Sequence, residues 1–136
     1  DGLDVSGFLT SGDVIDREIA PDKLPVLVAE SCVIGRFEIP GFDSLGEDMV
    51  LKADGGAIAV WGPSALSYNV LSNRLAEGFY QATGEAGPQR LGDAVLRGMR
   101  QYVPAGSGSF KGFDARKVYN ILGDPALLLS PATVAP

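Results

Sequence analysis

Three apolar stretches of strand length, separated by helical patterns, constrain the fold of this 136-residue chain more than any other feature. Pro25-Val26-Leu27-Val28-Ala29 runs into Glu30-Ser31-Cys32, and Ala57-Ile58-Ala59-Val60-Trp61 lies between Gly55-Gly56 and Gly62-Pro63. Val118-Tyr119-Asn120-Ile121-Leu122 ends at Gly123-Asp124-Pro125, and Ala126 to Leu129 are expected to add a further short strand. A half-exposed strand would alternate polar and apolar residues. The first two stretches do not alternate, which is the pattern of strands covered on both faces in a parallel sheet.

The intervening residues read as helices. Thr10-Ser11-Gly12-Asp13 is a capping start for a short helix through Ile19, stopped by Pro21, and Ser44-Leu45-Gly46-Glu47 is a capping box opening a helix to about Lys52. Leu71, Leu75 and Phe79 recur every four residues, as do Leu91, Val95, Met99 and Val103, so each series lays an apolar stripe on one helix face. Ser64 and Ser67 are placed to cap the first of these two helices, and Gly84 to Pro88 separate them. Pro104 to Gly112 form a Gly/Ser-rich loop, and Ser130 to Pro136 show no periodicity.

Strand, helix, strand, two helices, strand is an α/β order, which predicts a parallel sheet covered by helices. Three or four strands make a narrow sheet with an exposed edge, so an incomplete, truncated domain is expected rather than a self-sufficient small protein. With 46% apolar residues the chain has enough hydrophobic material for a core. One cysteine excludes a disulfide framework, and with no histidine there is no Cys/His cluster for structural zinc. No apolar run approaches the ~20 residues of a membrane-spanning helix, so no membrane insertion is expected. The net charge of -6 argues against a nucleic-acid surface. Residues 1–68 carry twelve acids and four bases, residues 69–136 five acids and seven bases; this split reads as solvated faces, or as a field favouring basic ligands near the acidic half.

In open α/β sheets, ligands bind beyond the carboxyl ends of the strands. Cys32 lies there, three residues after Ala29. Taken alone, a cysteine beside Val33 and Ile34 reads as an inert small hydrophobe; its setting supplies the other reading. The stretch Leu24 to Phe37, LPVLVAESCVIGRF, resembles the nucleophile strand and loop of gingipain-type cysteine peptidases, within the wider caspase-like group. Ser44-Leu45-Gly46-Glu47 resembles that family's S-L-[AG]-E helix start, and Gly55 to Trp61 its next core strand. Arg90-Leu91-Gly92-Asp93-Ala94 is similar to its T-L-G-E-A helix, and Tyr119 to Leu127 to its closing Y-x-L-L-G-D-P-[AS]-L. Gly7 to Val14 resembles the helix leading into the nucleophile strand, so the likeness spans about residues 3–129.

The resemblance implies a caspase-like α/β domain whose cysteine attacks a peptide carbonyl. It assigns residues 1–129 to the C-terminal part of the catalytic domain and leaves residues 130–136 as a tail or linker. The family's dyad pairs cysteine with the histidine of a His-Gly pair, expected a few residues before Asp1. An ordinary thiol is only a few per cent thiolate at neutral pH, and an imidazole both stabilises the thiolate and protonates the leaving amine. No residue here replaces it, because a carboxylate such as Glu30 beside a thiol disfavours the thiolate. The partners implied are therefore a peptide or protein substrate and an upstream N-terminal half of the same domain, without which these residues are a poor enzyme.

The N–H of Cys32 would donate to the developing oxyanion, together with the glycine of the His-Gly pair. The loop after the second strand, with Trp61, Gly62 and Ser64, is the candidate substrate-binding segment; Trp61 either walls the pocket or closes the sheet core. Asp124 is read as a turn former. No cofactor or metal is called for: calcium enters only by family analogy, and no loop has EF-hand spacing. Secretion or a cell-surface location follows from the resemblance alone. The alternatives are a catalytically inactive caspase-like domain serving as a binding or scaffold module, and a small doubly wound ligand-binding module. The last lacks the glycine-rich phosphate loop it requires.

Overall fold

The computed structural model describes residues 9–16, 18–85, 89–102 and 112–129. Most of the Gly/Ser-rich loop, Val103 and the tail lie outside them. Helix α1 (Ser11–Asp16) opens on a reciprocal cap: Asp13 accepts from the Thr10 N–H and hydroxyl at 2.9 and 2.8 Å, and the Asp13 N–H returns to Thr10 Oγ1 at 3.2 Å. Glu18 and Ile19 lie outside this helix, which ends short of the expected Ile19, and Ala20, before Pro21, is extended. A 3₁₀ turn (Pro21–Lys23) then leads into β1 (Val26–Val28).

Helix α2 (Leu45–Leu51) carries the capping box read from the sequence. The Ser44 N–H and hydroxyl both donate to Glu47 Oε2 at 2.9 Å, and the Glu47 N–H donates back to Ser44 Oγ. Strand β2 (Ala59–Pro63) follows, then α3 (Asn69–Thr83), a two-residue β3 (Gln89–Arg90), α4 (Leu91–Gln101), a 3₁₀ turn (Ala115–Lys117), β4 (Tyr119–Gly123) and β5 (Leu128–Leu129).

The main sheet has the order β1-β2-β4, and β3 pairs separately with β5. β1 and β2 are parallel, with Val26 opposite Ala59 and Val28 opposite Trp61. The wholly parallel sheet expected from the element order is not what forms, because β4 runs antiparallel to β2, from Ala59 opposite Gly123 to Pro63 opposite Tyr119. The helix count differs between the two pairings. One helix lies between the parallel pair β1 and β2, whereas two, α3 and α4, lie between the antiparallel pair β2 and β4, which does not require a single-helix crossover.

Side chains alternate between the two faces of this sheet. Ala59 and Trp61 of β2, Val26 and Val28 of β1, and Tyr119 and Ile121 of β4 pack toward Leu71, Leu75, Phe79, Leu91 and Val95 of α3 and α4. Val60, Leu27 and Leu122 pack on the other face with Val14, Ile34, Leu45 and Met49. Every residue of β2 is buried, which accounts for its unbroken apolar run. The two helical stripes are buried as their spacing predicts, up to Met99, which is partly buried against the same core. Gly78 and Gly98 allow α3 and α4 to close: a Cβ at Gly78 would lie 2.9 Å from the Gly98 Cα.

The same device sets α2 against the loop after β1. The Gly46 N–H donates to the Ile34 carbonyl at 2.9 Å, and a Cβ on Gly46 would stand 2.7 Å from that oxygen. Gly46→Ala is therefore expected to lower the unfolding free energy by about 1–3 kcal/mol, measured by urea denaturation, although alanine is the better helix former.

Candidate active site

Residues 31–35 turn sharply out of β1. The turn is held against the segment after β2 by hydrogen bonds from the Val33 N–H to the Ala65 carbonyl at 3.3 Å and from the Gly35 N–H to the Pro63 carbonyl at 3.0 Å. Val33, immediately after Cys32, has φ of 52°. A β-branched residue in this left-handed region stores strain of about 1–3 kcal/mol, which the surrounding hydrogen bonds must hold. Gly35, two residues further on, is not among the glycines with positive φ.

Cys32 is partly exposed at the carboxyl end of β1, as its position after the strand predicts. Its thiol donates to the Ser67 carbonyl at 3.2 Å, and the Ser67 N–H donates to the sulfur at 3.4 Å. Among the described residues the Cys32 N–H donates to no protein acceptor. The sulfur opens on a groove of about 260 Å³ lined by Leu66, Ser67, Tyr68 and Phe113. The Tyr68 and Phe113 rings meet edge to face at 5.1 Å. None of these lining residues carries a charge. Beside Phe113, a hydrogen bond from the Arg116 guanidinium holds the Asp114 carboxyl below the usual carboxylate range.

The loop after β2 thus does border the thiol, but through its second half. Trp61 is 0% exposed and lies in the core, its ring 5.3 Å from those of Phe79 and Tyr119. Among the described residues its indole N–H has no hydrogen-bond partner. Gly62 is buried, and a Cβ there would meet the Ala29 methyl at 3.0 Å. Ser64 faces β4, donating to the Val118 carbonyl at 3.3 Å and accepting from Asn120 Nδ2 at 3.0 Å.

Neither Ser64 nor Ser67 caps α3. Its N-cap is Tyr68, with no side-chain hydrogen bond to the helix. Instead the Ser67 hydroxyl lies 2.8 Å from that of Ser72, which is fully buried in the first turns of α3. Asp124 does form the expected turn, accepting from the Ala126 N–H at 2.8 Å.

Leu66, Tyr68, Phe113, Ser72 and Tyr119 were not singled out from the sequence. Leu66 and Tyr68 were recoverable as the continuation of the loop after β2. Phe113 reaches the groove from the far side of the Gly/Ser-rich loop, and nothing local announces it. Among the described residues no group of three or more His, Cys, Asp and Glu could hold a metal ion, and no helix is long and apolar enough to cross a membrane.

Behind the groove, the Tyr119 hydroxyl donates to the Ala29 carbonyl at 2.8 Å. Burial pushes the phenol pKa up from 10.0 to about 12, opposed by a hydrogen bond from Ser72 and assisted by the nearby Glu30. The sign of the consequence follows. Below pH 10 both folded and unfolded chains keep the proton, and stability is undiminished. Between pH 10 and about 12 only the unfolded chain ionises, so stability falls by about 2–3 kcal/mol in all. Tyr119→Phe should lack this component of the alkaline loss, read as the difference between the two proteins' urea midpoints from pH 9 to 12.

A family model, described as peptidase family C25, matches residues 2–130. No curated protein and no solved structure matched the chain. The α/β architecture is consistent with a fragment of a caspase-like domain, and the family supports cysteine-peptidase function in general, with protein as the substrate. Matched over nearly its whole length, with its single thiol at the end of β1, the chain belongs to peptidase family C25, the gingipain family.

Proposed function

We propose that this chain forms the nucleophile-bearing part of a cysteine endopeptidase. Cys32 attacks the scissile carbonyl, and its own N–H donates to the oxyanion that develops. The proton from sulfur passes to a histidine contributed by residues outside this stretch, which then protonates the leaving amine; the acyl-enzyme is released by water. The observation that carries this reading is the placement of Cys32. The only thiol in the chain opens on a groove at the carboxyl end of a strand, in a loop with a strained residue beside it.

The groove supports a substrate side chain of apolar or aromatic type. Leu66, Tyr68 and Phe113 offer hydrocarbon surface, and none of the lining residues supplies a carboxylate to pair with arginine or lysine. Trp61 and Gly62 contribute from behind by fixing β2. Export to the cell surface is proposed on family membership alone.

A peptidyl electrophile should label Cys32 in the protein joined to its histidine-bearing partner segment, and Cys32→Ala should abolish labelling and lower peptide hydrolysis by about 10³-fold or more. Failure of the parent protein to label under reducing conditions, with the fold intact, would leave the inactive binding or scaffold domain as the better reading. Substrates with leucine or phenylalanine before the cut should exceed arginine by about tenfold or more in kcat/KM, and Tyr68→Ala should reduce that margin.

A further inference from the structure

We infer that Ser67 and Ser72 are positioning residues for the Cys32 thiol, joined by a hydrogen bond between their hydroxyl groups. The two oxygens lie 2.8 Å apart, and either can be the donor.

This bond fixes the Ser67 peptide where it meets the sulfur. With the side chain anchored on Ser72, both backbone groups of Ser67 face Cys32, the carbonyl accepting from the thiol at 3.2 Å and the N–H donating to it at 3.4 Å. Ser72 is 0% exposed, so water is not at hand to replace a lost partner. The consequence for catalysis rests on Cys32 being the nucleophile, but the geometry itself concerns only how the sulfur is held.

The test therefore reads the sulfur directly. Cys32 is the sole cysteine of these 136 residues, and its iodoacetamide alkylation rate at neutral pH, followed by peptide mass mapping in the protein joined to its partner segment, reports it alone. Ser72→Ala and Ser67→Ala should each raise that rate by about fivefold, the size of one net hydrogen bond. The double variant should be no faster than either single one, since both remove the same contact. Ser67→Thr, which keeps the hydroxyl, should stay within about twofold of the parent. Leu75→Val, which loosens the core without touching either serine hydroxyl, should also leave the rate unchanged.

A Ser67→Ala rate within twofold of the parent, effects that multiply in the double variant, or an equal rise in Leu75→Val would each overturn the inference. If Ser72→Ala does not fold, the comparison of Ser67→Ala with Ser67→Thr decides. None of these readings uses peptide hydrolysis, so a failed peptidase assay and a failed positioning role are separately visible.

Discussion

The complete burial of β2 is the constraint on which the remaining structure depends. Its odd-numbered residues Ala59 and Trp61 face α3 and α4, while Val60 faces Leu45 and Met49 of α2, so a single five-residue strand belongs to both cores. Its backbone is spoken for on both edges as well, by β1 in parallel and β4 in antiparallel register. A polar side chain on either face would sit unpaired in hydrocarbon. Trp61 is the largest side chain in this position, and it fixes the spacing between the sheet and Phe79.

The candidate site is a consequence of that strand. The turn bearing Cys32 has little regular structure of its own; what fixes it is hydrogen bonding to Pro63, Ala65 and Ser67, the residues that leave β2. These contacts hold Val33 in a left-handed conformation that an isolated peptide would avoid. A nucleophile gains from such restraint, because orientation settled during folding need not be settled again when substrate binds. The thiol as it stands gives its proton to a backbone carbonyl. A base is still needed to remove it.

Legibility in the sequence followed the range of the interactions. The Ser44–Glu47 capping box and the stripes Leu71-Leu75-Phe79 and Leu91-Val95-Met99 depend on neighbours three or four residues away, and they form where the pattern puts them. The two-sided burial of β2 was visible as an unbroken apolar run. The direction of β4 is not legible in the element order, because a strand that follows two helices can pair with β2 in either sense, and the register alone makes it antiparallel. Ser64 and Ser67 show the limit of local reasoning: each stands near a helix start, yet Asn120 and the Val118 carbonyl engage the first and Ser72 the second.

Composition and spacing by themselves determined an α/β core, the carriers of its strands and helices, and a lone cysteine at the end of a strand, because each depends on the chemistry of residues close together along the chain. Tertiary structure alone decided what surrounds that cysteine. Phe113 and Tyr68 meet across 45 residues of sequence, and Tyr119 reaches Ala29 across 90. Such partners are selected by the register of strands and the closure of helices, and neither is written in any local stretch of the chain.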